Sequence, residues 1–119
     1  MIGVATLLTP IIVLACGVCI EDKVAVVYDH DVIQRAQSEG QIVVFCDVQG
    51  TIAPERARDV MATIPGVQAR SIRISKAPVA LSFAVDPAIL SPEAAIQRAE
   101  TVSGSDMKLI ILRTSATPR

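Results

Sequence analysis

From residue 20 onward the apolar positions change period several times, and each change marks an element. Residues 20–39, IEDKVAVVYDHDVIQRAQSE, place Ile20, Val24, Val27 and Asp31 on one face and Val24, Tyr28, Val32 and Ala36 at spacing four on the adjacent one. That spacing predicts one helix, and Gly40 ends it. Gln41–Val48 is rich in β-branched residues and breaks at Gln49-Gly50, as a strand does; Ile42, Val44, Cys46 and Val48 share one face, and Val43, Phe45 and Asp47 the other. Helical period returns over Thr51–Ile64. Pro54 sits in its first turn, Ala53, Ala57, Val60, Met61 and Ile64 form its apolar stripe, and Pro65-Gly66 stops it. Arg70–Ser75 alternates, with Ile72 and Ile74 inward, and turns back at Lys76-Ala77-Pro78 into the strand Val79–Val85. Ser91-Pro92-Glu93 then opens a helix with a capping hydroxyl, a proline in the first turn and an acid at the positive end of the dipole. It runs to Ser103 and Gly104, and Met107–Leu112 is the last strand. The tail TSATPR is expected to be disordered.

The order from residue 41 is β-α-β-β-α-β, the split βαβ of the ferredoxin-like class. The expected fold is therefore α+β, a ferredoxin-like βαββαβ sandwich with an antiparallel sheet, helices on one face, and an extra N-terminal helix. Four segments follow: 1–15 a leader, 16–40 a C-x-x-C segment with the N-terminal helix, 41–114 the domain, and 115–119 a tail.

The opening MIGVATLLTPIIVLACGVCI carries no charged side chain. It is short for a spanning helix, which needs about 20 apolar residues, and it fits the apolar region of a secretory signal. Val13-Leu14-Ala15 resembles a cleavage site, and Cys16 after it resembles a lipoprotein site. On that reading the protein is exported, periplasmic in a bacterium, and meets a membrane only through this segment or a lipid anchor. If Ile11–Ala15 is instead a buried strand, the protein is cytoplasmic.

Net charge is −1 and aromatic residues are 3% of the chain. The first removes the electrostatic footprint for nucleic acid, the second the stacking platforms for bases. No Ser-His-Asp, paired-carboxylate or phosphate-loop constellation is present, so an enzyme is not expected. The chemistry rests on three cysteines, Cys16, Cys19 and Cys46. Cys16-Gly17-Val18-Cys19 puts two thiols three residues apart just before a helix, where the dipole favours thiolates. Such a pair selects soft ions. Two ligands suit Cu(I) ahead of Zn(II), which wants a closed tetrahedron. Cys16 and Cys19 are the candidate metal ligands. Cys46 reads as a core residue. His30, eleven residues past Cys19 or roughly 16 Å along a helix, is too far to share an ion with the pair.

The stretches CDVQG, IPGV, SIRIS, ALSFAVDP and SPEAAIQRAE resemble heavy-metal-associated domains, the metallochaperones and soluble modules of metal-transporting ATPases. The resemblance covers residues 43–112. It implies the ferredoxin-like fold, a metal ion as cargo, and a metal transporter or other protein as partner. The family's Met-x-Cys-x-x-Cys loop follows the glycine that ends the first strand. Gly50 matches that glycine, but Ala53 and Arg56 stand at the cysteine positions, so the family's own site is absent. The leading expectation is a small exported soft-metal binding or carrier protein using Cys16 and Cys19. A dithiol redox protein and a metal-free protein-interaction module are the alternatives.

Overall fold

The computed structural model describes residues 20–115. Helix α1, over described residues 20–25, and α2 (His30–Ser38) precede strand β1 (Ile42–Gly50), helix α3 (Pro54–Ala62), a 3-10 turn (Ala69–Ser71), strands β2 (Arg73–Lys76) and β3 (Val79–Val85), helix α4 (Pro92–Ser103) and strand β4 (Met107–Thr114). The sheet order is β2-β3-β1-β4 and every pairing is antiparallel.

One face of the sheet carries the domain core. Val44 and Cys46 of β1, Leu81, Phe83 and Val85 of β3, and Met107 and Leu109 of β4 meet Ala57, Val60 and Met61 of α3 and Ala95, Ile96 and Ala99 of α4. Both helices of the βαββαβ unit lie on this face, as the element order predicts. Their stripes arise as read: α4 opens on Ser91, whose hydroxyl accepts from Ala94 N–H at 3.1 Å. α3 is shorter than expected, because Ala53 is its exposed N-cap residue rather than part of its buried stripe.

The second face is also covered. Val24 and Val27 from the α1 segment and Val32 and Ala36 of α2 bury Val43, Phe45, Ala80 and Ala84. The single helix expected over 20–39 is corrected here: it breaks between residues 26 and 29. Asp29 adopts an extended backbone (φ −139°, ψ 115°) and its carboxylate accepts from the N–H groups of Asp31 and Val32, so it caps α2. The reason is tertiary. Tyr28 leaves the helix to stack on Phe45 with ring centroids 6.5 Å apart, and Arg73 holds Asp29 from the sheet edge.

The strand expected over Arg70–Ser75 starts later, because Ala69–Ser71 closes into a 3-10 turn. There the Ser71 hydroxyl donates to Gln68 O and accepts from Ala84 N–H. Pairing at the other end continues further than read. Thr114 lies within β4, and Ser115 donates its N–H to Val43 O at 2.8 Å while its hydroxyl accepts from Val43 N–H at 2.9 Å. Residues 116–119 of the expected tail lie outside the described residues.

Candidate functional site

The loop between β1 and α3 stands where a metal-binding loop is expected. Gly50 ends β1 with φ 111°, and a Cβ built there would lie 2.2 Å from the Asp106 carbonyl oxygen. Only glycine fits such an approach. The Asp106 carbonyl accepts from Thr51 N–H at 3.0 Å and Ile52 N–H at 3.1 Å, which ties the loop down onto the start of β4. Ile52 packs half-buried against the core. Glu55, in the first turn of α3, pairs with Lys76 of β2 at 2.9 Å, and that ammonium holds its carboxyl below the usual range. Ala53 and Arg56, at the two positions the family gives to cysteine, offer no soft donor. Among the described residues no group of three or more His, Cys, Asp or Glu side chains could hold a metal ion.

The thiols divide by location. Cys46 is fully buried in the face packed by α3 and α4. Burial first, then the neighbouring charges of Asp47 and Glu100, push its pKa up to about 12. It is a neutral core thiol at physiological pH and no ligand. Cys16 and Cys19 lie outside the described residues. The residues directly after them are anchored: Glu21 pairs with Arg113 of β4 at 2.7 Å and Lys23 with Asp47 of β1 at 3.0 Å. The described part of α1 thus lies over the β4 side at Glu21, and the chain after it reaches β3, where the Ser82 hydroxyl donates to Val27 O at 2.8 Å. His30 is exposed at the start of α2.

A second region was not singled out by residue pattern. Around the edge strand β2, two clefts share Asp29, Arg70 and Arg73. One of about 350 Å³ lies between α2 and the 3-10 turn; the other, about 420 Å³, runs between Tyr28 and Arg58. Asp29 links them. The Arg73 guanidinium at 3.0 Å, then the amides of Val32 and Asp31, hold its carboxyl below the usual range. The available signal was Asp29 itself, a capping residue three positions before the apolar Val32, which reads as a second helix start.

No family model matches the chain, and no curated protein matches it. Among solved structures, the chain is similar to one described as a copper binding domain from HMA7, a P-type ATPase, with a TM-score of 0.53. The fold is ferredoxin-like. The match covers 63% of this chain and 99% of that one at 13% identity, a share close in length to the unit from β1 to β4. At that identity the likeness carries the fold and no residue of that domain's site.

Proposed function

We propose that this chain is a small exported protein that binds or carries a soft metal ion, Cu(I) ahead of Zn(II), through Cys16 and Cys19. The ferredoxin-like body is its scaffold, and a metal transporter or similar protein is its partner. The observation that carries this reading is the likeness of the body to a copper-binding domain. The chemistry of the thiols adds to it. The loop after β1 holds no soft donor and Cys46 is buried and protonated, which leaves Cys16 and Cys19 as the remaining thiols in the sequence. The role is binding rather than catalysis.

Titration of the reduced full chain with Cu(I) against a competing chelator tests it. Cys16→Ser and Cys19→Ser should each lose most of the affinity, since one thiolate cannot hold the ion against the competitor, while Cys46→Ala and His30→Ala should leave it unchanged. Equal binding by the double Ser variant rejects the reading. Intact mass of the protein recovered from its native compartment tests export and reports whether Cys16 is free, lipidated or removed.

The closed loop between β1 and α3 supports a second reading, a metal-free interaction module. On that reading the double Ser variant keeps all of its partner binding.

A further inference from the structure

The outer side of the sheet at β2 has three properties together. Its backbone is free: among the described residues, no backbone or side-chain hydrogen bond from outside the sheet reaches the main chain of Arg73–Lys76. Beside it runs the 420 Å³ groove, with Val26, Tyr28 and Ile74 as apolar lining and Arg58, Arg70 and Arg73 as its cations. Val26 and Tyr28 are among the large apolar residues left exposed, at 44% and 52%. Arg73 is fixed by Asp29 and by the carbonyls of Arg70 and Ile72. Arg58 and Arg70 form no ion pair among the described residues. The groove holds one acid, Asp29, already engaged by Arg73, so its field is positive. The neighbouring cleft under α2 adds Asp31 and Glu39 to Asp29, and its charges balance.

An edge strand with free N–H and C=O groups is a template for another strand. We propose that β2 and this groove take up an acidic, extended segment of a partner protein as a fifth strand. The segment carries apolar side chains at alternate positions. Main-chain bonds to β2 supply a sequence-independent part of the affinity, and the alternate side chains select. Apolar residues on the side of the segment that faces the α1/α2 cover meet Val26 and Tyr28, and carboxylates on the α3 side meet Arg58, with Arg70 at the start of the strand. The four residues of β2 match a paired stretch of about four residues, since both strands rise ~3.3 Å per residue. A second copy of this chain is the wrong occupant, because its own β2 edge would bring the same arginines against these. Neither Cys16 nor Cys19, the thiols assigned to metal binding, is among the residues this proposal uses.

The probe is an acetylated, amidated octapeptide of alternating Val and Glu, titrated into the ¹⁵N-labelled full chain with reductant and a metal chelator present. Amide shifts confined to residues 26–28, 58 and 69–76 are expected, with affinity falling as salt rises. The same peptide with Lys for Glu should bind at least tenfold more weakly. Arg58→Glu with Arg70→Glu should lose at least tenfold for the Glu peptide and reverse the preference. A Glu peptide N-methylated at alternate residues should also lose at least tenfold, since it cannot complete the ladder. Absence of binding, shifts centred elsewhere, or equal binding of the N-methylated peptide, which would mean charge attraction alone, each overturns the proposal. The chelator keeps this outcome distinct from that of the metal titration.

Discussion

The two faces of the sheet are covered by different means. Under α3 and α4 the sheet presents Leu81, Phe83 and Val85, and the largest fully buried side chains, Phe83, Met61 and Leu81, meet there. Under α1 and α2 the same strand β3 presents Ala80, Ser82 and Ala84. Small side chains let the N-terminal helices approach closely, but they bury little apolar area. Hydrophobic stabilisation follows area, about 25 cal/mol per Å², so the α3/α4 face holds the fold. The second face is fastened by polar contacts instead: Glu21–Arg113, Lys23–Asp47, Arg73–Asp29 and the Ser82 hydroxyl on Val27 O. Such a cover is expected to open first, and it lines both clefts beside β2.

The strongest way to break this contrast is Phe83→Ala. It should cost about 3–5 kcal/mol and unfold the whole domain as one unit in a denaturant titration. If the loss is confined to residues 20–38, the assignment of the dominant core is wrong.

Ala80→Leu, on the other face of the same strand, should cost about 1–3 kcal/mol through overpacking. Hydrogen exchange should show protection lost in α1 and α2 while α3, α4 and the sheet keep theirs. Uniform loss would show that the two faces fold as a single layer.

Cys46→Ala should cost about 1 kcal/mol, the transfer value of one buried group of that size. Thiol reagents should label native Cys46 only after unfolding. Its pH dependence has a definite sign. The folded thiol titrates at about 12 against 9.0 for the unfolded chain, so the unfolded state releases its proton first. Stability present below pH 9 is therefore lost between 9 and 12, and the Cys46→Ala variant should lack that alkaline slope.

The smallest effect is on the polar side. Asp29 has a lowered pKa from Arg73 and the α2 amides, so its contribution is present above the ordinary carboxylate value and fades as pH falls through the folded one. Acid below the ordinary carboxylate value should loosen α2 before the α3/α4 face, by an amount that shrinks in high salt. Asp29→Asn, which can still cap, should remove the pH dependence and keep the helix. Arg73→Gln should flatten the pH dependence in part, because the amides remain.

Much of the fold was legible in local pattern. The Val79–Val85 strand, the Ser91-Pro92 helix start and the Gly104 stop each follow from a residue type whose backbone preference is strong on its own, and the β-α-β-β-α-β order follows from them. The closed loop was legible in part. Ala53 and Arg56 state by identity that no thiol stands there, whereas the carbonyl of Asp106 against Gly50 depends on residues 56 positions apart in sequence.

The tertiary structure alone decided where the N-terminal residues go. Their period reads as one helix over 20–39; Asp29 offers a capping carboxylate, but a capping residue type permits a new helix start without requiring one. The break forms because Phe45 offers a ring to Tyr28 and Arg73 a guanidinium to Asp29, and both partners come from other strands. The sequence did hold a trace of the cover. β1 is apolar on both faces, Val43 and Phe45 as well as Val44 and Cys46, which is the composition of a strand buried on both sides. Periodicity within one strand states that a face needs covering; which segment covers it is set by packing between distant residues.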